Sequence, residues 1–236
     1  MKFKKTVKRI LRFTGLYTSR EYRLARKEIE EGIDYSKQSL FGRHNTELLF
    51  IHIPKAAGIS VVEALYGTTA SCHATALDYK NEDASKFNNA FVVSLVRHPL
   101  TRLVSAYNYL YDGGRCEIDE VWRERYIKPY ADINDFVKCG LKLAIQERAE
   151  HFIPQTEFLY EGNRLIVDHV GRLEQIDSFS QFISQKTNRE IRLDKHSNAS
   201  QRIFGVENLN DESIATIHIL YEKDFHNFYP KQCENR

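Results

Sequence analysis

Two short apolar runs, each leading directly into a charged turn and then a helix-favouring stretch, constrain this chain most. The first is Leu48-Leu49-Phe50-Ile51-His52-Ile53, followed by Pro54-Lys55-Ala56-Ala57-Gly58-Ile59-Ser60. The second is Phe91-Val92-Val93-Ser94-Leu95-Val96, followed by Arg97-His98-Pro99-Leu100-Thr101-Arg102. A continuous apolar run of this length suits a strand covered on both faces, as in a parallel sheet under helices. Pro99 reads as a first helical residue, where its missing N–H costs little. Each turn sets cationic and hydroxyl side chains beside the backbone N–H groups that a starting helix leaves unpaired, which suits a phosphate. Two such turns in one domain imply a ligand with anionic groups at both ends.

The rest of the chain repeats the strand-then-helix order. Helices are expected over 58–66, from Pro99 to the Asp112-Gly113-Gly114 stop, over 134–149 with Asn134 or Asp132 as cap, and over 177–186 and 211–224. Residues 67–75 read as polar chain with a short strand, 80–89 as loop plus helix, and 164–170 as a third apolar strand. This order predicts an α/β fold with a central, mainly parallel sheet flanked by helices. The 236 residues suit one domain with a small extension. The division expected is a basic helical arm over 1–44 and a folded α/β domain over 45–236.

Charge narrows the partners. A net charge of +2 argues against a general polyanion or nucleic-acid binder. Residues 1–27 are nevertheless rich in Lys and Arg, with Glu21 as the single acid. Phe3, Val7, Ile10 and Leu11 fall at helical spacing among Lys4, Lys5, Lys8, Arg9 and Arg12. This arm reads either as a solvated helix packed by its apolar stripe or as a membrane-surface helix. No apolar run is long enough to span a bilayer, and no apolar segment of signal-peptide type follows the basic start. The four cysteines are scattered without Cys-x-x-Cys or zinc spacing, which points to free thiols in a reducing compartment.

The first turn departs from a Walker loop. That motif needs Gly-x-x-x-x-Gly-Lys-Ser/Thr, whereas here Lys55 precedes the glycine and no strand ends in an evident magnesium-binding acid. A P-loop kinase is therefore a weaker reading, and a non-catalytic nucleotide-binding domain is weaker because Lys55, Arg97 and Ser105 are all present. Pro54-Lys55-Ala56-Ala57-Gly58-Ile59-Ser60 instead resembles the 5′-phosphosulfate loop of sulfotransferases that use 3′-phosphoadenosine 5′-phosphosulfate (PAPS). Arg97-His98-Pro99, with Ser105 eight residues beyond Arg97, resembles their 3′-phosphate segment. Cys72-His73 and the residues after it look like the His segment of heparan- and uronyl-type 2-O-sulfotransferases. His151-Phe152-Ile153-Pro154-Gln155 resembles the His-x-x-Pro-Gln segment of carbohydrate sulfotransferases. Gly171-Arg172-Leu173-Glu174, Tyr221-Glu222-Lys223-Asp224 and Phe228-Tyr229 resemble later family segments. The match leaves the basic arm outside.

The resemblance implies a P-loop-like three-layer fold and a transfer from PAPS to a carbohydrate hydroxyl, with adenosine 3′,5′-bisphosphate as product and no metal. It implies Lys55 as the cation at the breaking bond, and Ala56, Ala57, Gly58, Ile59 and Ser60 as the phosphosulfate cradle. Ser60 is alternatively a simple helix cap. Arg97 and Ser105 would hold the 3′-phosphate. Arg102 fits either that pocket or a solvated helix face. His73 ranks first as general base and His151 second, as base or acceptor-positioning group. His52 reads as a packed core histidine, and His98 as a turn cap or a cofactor contact. Lys195-His196-Ser197-Asn198-Ala199-Ser200, with Arg202, resembles a late loop near the nucleotide and equally suits a solvent loop. A polysaccharide, capsule or glycolipid acceptor, a bacterial cytoplasmic location and peripheral contact with the inner membrane through the arm complete the expectation.

Overall fold

The two apolar runs pair with each other. In the computed structural model, which describes residues 39–43, 47–68, 72–115, 117–193 and 203–230, β1 (Leu48–Ile51) lies parallel to β2 (Phe91–Val96), with Leu49 opposite Val92. Both strands are buried almost throughout, as their composition requires. On the other side of β2 lies β5 (His169–Arg172), also parallel, giving a three-stranded sheet of order β1-β2-β5. The outer backbone groups of β1 do not stay open. Tyr66 Oη accepts from the Phe50 N–H and donates to the Leu48 carbonyl, both at 3.0 Å.

Helices sandwich this sheet. α1 (Gly58–Tyr66) follows β1; α2 (Ala76–Glu82) and α3 (Ala84–Asn89) bring the chain back to β2; α4 (Pro99–Tyr111) leaves it. α5 (Glu117–Tyr126), α6 (Ile133–Asp135) and α7 (Leu141–Gln146) extend the α4 side around a core that includes Tyr107, Phe136 and Phe152. α8 (Thr156–Leu159) precedes a small hairpin, and α9 (Ile176–Thr187), α10 (Asp211–Leu220) and α11 (Glu222–Phe228) close the fold. The predicted α/β fold, with a central parallel sheet flanked by helices, is therefore observed.

Several expected boundaries shift, each for a local reason. The strand expected over 164–170 is split. Its first part forms β4 (Arg164–Leu165), antiparallel to β3 (Tyr160–Glu161), around a tight turn whose Gly162 sits at φ +62°. Asp168 then redirects the chain. Its carboxylate accepts from the Val92 N–H at 2.7 Å and its own N–H donates to the Val92 carbonyl at 2.8 Å, setting the register of β5. The helix expected over 134–149 starts after Asp132, whose carboxylate caps Asn134 and Asp135, and it passes through a π turn, Phe136–Gly140. The helix expected over 211–224 breaks at Tyr221. Among the described residues of 67–75 there is no strand; Thr75 instead caps α2 through a reciprocal box with Asp78. The helical arm and the 195–202 loop lie outside the described residues. Of the arm, residues 39–43 are described, with a short 3₁₀ turn over Leu40–Arg43. It docks through Phe41, edge-on to Tyr79, and through the Leu40 N–H, which donates to Glu82.

Candidate active site

The turn after β1 takes a conformation that its sequence does not advertise. Lys55 (φ 67°) and Ala57 (φ 61°) both adopt left-handed backbone, although neither is glycine. Each such residue costs on the order of 1 kcal/mol, so its surroundings must hold it. Arg102 is one restraint, donating from Nε to the Pro54 carbonyl at 3.0 Å. Alternating backbone of this kind gathers successive N–H groups into an anion-binding concavity. It opens onto the start of α1, whose cap residue Ala57 carries no capping side chain. Gly58 is required for a different reason: a Cβ there would lie 1.8 Å from His52 Cδ2. His52 is thus the packed core histidine expected, lying beneath the helix start at 5% exposure.

The Lys55 ammonium lies over the Tyr109 ring, 4.0 Å from its centroid. Burial, and then the Arg97 charge, lower its pKa to about 8, with Arg115 and Arg102 adding to the effect and Asp119 opposing it. Arg97 arrives from the end of β2. Its Nη1 donates to the Lys55 carbonyl at 3.3 Å and its Nε to Thr101 Oγ1 at 3.1 Å. Ser105 is half-buried one helical turn beyond Thr101, on the same face of α4. Ile59 and Ser60 are half-buried at the start of α1, and Ala56 is fully buried.

The late motifs turn out to position Arg97 and its neighbour. Gln155 brackets the Arg97 backbone, accepting from its N–H at 2.9 Å and donating to its carbonyl at 2.8 Å. Gln155 is held in turn by α11. The buried Asp224 carboxylate accepts from the Gln155 and Thr156 N–H groups, both at 2.8 Å, and burial raises its pKa. Tyr221 Oη donates to the Phe152 carbonyl at 2.7 Å. Glu174 accepts from the His98 N–H and from Tyr229 Oη, each at 2.8 Å. The His98 ring packs edge-on against Phe225 and Tyr229. Arg102 is neither a solvated residue nor exposed to a pocket. At 2% exposure it ties Pro54 to the Ile153 carbonyl, while its Nη2 finds no hydrogen-bond partner among the described residues and burial lowers its pKa.

His73 and His151 come together beside the Lys55 turn, with ring centroids 6.3 Å apart and the His52 ring 4.6 Å from that of His73. Each is paired with a buried carboxylate that sequence reasoning missed. His73 Nδ1 lies 3.0 Å from Glu150 Oε2, and His151 Nε2 lies 3.2 Å from Asp119 Oδ1. Asp119 also accepts from Tyr109 Oη at 2.6 Å and from the Arg115 N–H at 2.9 Å. Burial alone would raise the Asp119 carboxyl, but hydrogen bonds from His151, Tyr109 and Arg115 outweigh it and hold it well below the usual range. Burial lowers the His151 pKa against the pull of Asp119. No sequence pattern linked these carboxylates to the histidines, since Glu150 and His73 are 77 residues apart. Ligating atoms of Asp119, Glu150 and His151 lie within 4.8 Å of one another, close enough for a cation, yet both carboxylates already bond to a histidine.

Comparison with known proteins bears on this arrangement. A family model described as "Sulfotransferase family" matches residues 38–230, most of the chain. No curated protein and no solved structure matches it.

Proposed function

The chain belongs to the sulfotransferase family, and we propose that it transfers the sulfuryl group of PAPS to a hydroxyl of a carbohydrate acceptor. One observation carries the choice of donor. Two cations from separate strand ends, Lys55 and Arg97, share one partly buried place, where burial and mutual repulsion already depress the lysine. Such a pair favours an anion between or beside its members. The donor supplies two anionic groups and the sulfuryl group itself.

On this reading the concave turn from Ala56 through Ala57, Gly58 and Ile59 to Ser60 binds the phosphosulfate. Lys55 offsets charge on the oxygen left behind when the bond to sulfur breaks. Arg97 and Ser105 hold the 3′-phosphate, with Arg97 offering a planar fork. His73, half-buried where His151 is nearly sealed, takes the acceptor proton. His151 serves as a positioning group through Asp119. No step uses a metal. A polysaccharide, capsule or glycolipid acceptor, met by a bacterial enzyme at the cytoplasmic face of its membrane through the basic arm, completes the proposal. Among the described residues no helix is long and apolar enough to cross a membrane.

Calorimetry in EDTA with adenosine 3′,5′-bisphosphate, AMP and ATP tests the donor assignment. The bisphosphate should bind at least about tenfold tighter than AMP, since loss of a charged hydrogen bond costs about 1.5–3 kcal/mol. Tighter binding of ATP, or a requirement for magnesium, would favour a kinase instead. Transfer of labelled sulfate from PAPS to a panel of oligosaccharides and glycolipids would then name the acceptor.

A further inference from the structure

The carboxylate beside His73 is buried, and its burial demands an explanation. We propose that Glu150 is the positioning residue for the base: its carboxylate fixes the His73 imidazole in the tautomer whose lone pair is on Nε2, and balances the charge the ring acquires during turnover. The inference rests on the reading of His73 as general base.

Glu150 is 3% exposed, in the turn between α7 and α8, flanked by the equally buried Ala149 and His151. A carboxylate so enclosed is costly unless it is hydrogen-bonded. Its Oε2 lies 3.0 Å from His73 Nδ1. An ionised carboxylate can only accept, so beside it the single N–H of a neutral ring lies on Nδ1 and the lone pair on Nε2. The His73 ring is bracketed by His52 edge-on at 4.6 Å and by His151 at 6.3 Å, which restricts its rotation. His151 is tied the other way round. It is Nε2 that meets Asp119, and its remaining Nδ1 is buried with no hydrogen-bond partner among the described residues. The two rings thus face their carboxylates through opposite nitrogens, Nδ1 in His73 and Nε2 in His151.

The balance of the step follows. The acceptor hydroxyl gives its proton to His73 Nε2 as its oxygen bonds to sulfur. The bond from sulfur to the 5′-phosphate oxygen breaks, and its electron pair leaves with the bisphosphate. The ring becomes an imidazolium beside a carboxylate, so the pair as a whole carries no net charge when the transition state is reached.

The test uses the full chain labelled with ¹⁵N-histidine. At alkaline pH, His73 should appear as the Nδ1–H tautomer, and Glu150→Ala should move it to the Nε2–H form that free imidazole side chains prefer. Loss of a carboxylate that orients a histidine should lower kcat about 10–100-fold. The donor KM and bisphosphate affinity should stay unchanged, and Glu150→Asp should recover part of the loss. Where Glu150→Ala does not fold, Glu150→Gln, of the same shape, should show the same drop in kcat with bisphosphate binding intact. A wild-type His73 in the Nε2–H form, or a folded variant with undiminished kcat, overturns the role of Glu150. Full turnover by His73→Ala would defeat the base assignment instead, a failure distinct from any tautomer result.

Discussion

Lys55 and His73, the two residues given chemical roles in the proposed reaction, are held in different ways. Lys55 belongs to a contiguous turn whose position is dictated by β1. Arg97 is likewise delivered by the end of β2, and both its backbone groups are clasped by Gln155. His73 sits between elements and is placed by a partner 77 residues away. His151 is placed by Asp119 from α5, which Tyr109 and the Arg115 N–H also engage. A phosphate grip can be written as a local motif because strand ends and helix starts present N–H groups wherever they occur. A proton acceptor must be oriented by a side chain from elsewhere, so its support is spread along the chain.

That contrast can be broken by substitution, starting with the largest effect. Lys55→Ala should lower kcat by about 10³-fold, the scale for losing one group that offsets developing charge. Bisphosphate binding should remain measurable by calorimetry, and unchanged turnover would remove Lys55 from the chemistry. His73→Ala should lower kcat by about 10²-fold, within the range for a general base, with little change in donor KM. A larger loss in His151→Ala would reverse the roles given to the two rings. Arg97→Ala should weaken bisphosphate binding by about 2 kcal/mol, roughly thirtyfold, and should abolish the preference over AMP. If that preference survives, another group reads the 3′-phosphate.

The smallest effect is on pH dependence. With its pKa lowered to about 8, Lys55 in the free protein loses its proton as pH rises through that value, well before an ordinary lysine would. Anion binding draws on the charged form. Bisphosphate affinity should therefore fall as pH rises above 8, by less than tenfold per pH unit, and the slope should be absent in Lys55→Ala. Calorimetry across that range would show it, and an equal slope in the variant would assign the titration to another group.

The sequence-to-structure comparison divides along the same line. Runs such as 48–53 and Phe91–Val96 could be read as buried strands of a parallel sheet because burial on both faces leaves a compositional trace, although the first strand ends at Ile51 and only the structure shows the two paired. The helix starting at Pro99 and the glycine stop after α4 were equally legible from local backbone preferences. The 164–170 strand was misjudged because its apolar residues serve two elements, divided by what Asp168 does with Val92. Arg102 carries no local sign of its fate, since a charged residue on a helix ordinarily faces water. Only the approach of Pro54 and Ile153 makes it a buried tie.

The order of apolar runs, turns and cations along the chain determined the parallel sheet, the helices over it and the two strand-end cations, because these depend on backbone preferences and burial patterns a few residues long. The tertiary structure alone decided the left-handed backbone at Lys55 and Ala57, the clasp of Gln155 on Arg97, and the pairing of His73 with Glu150 and of His151 with Asp119. Each of these sets the cost of strain or of a buried polar group against a partner from a distant segment, and such a partner is found only once the core has closed.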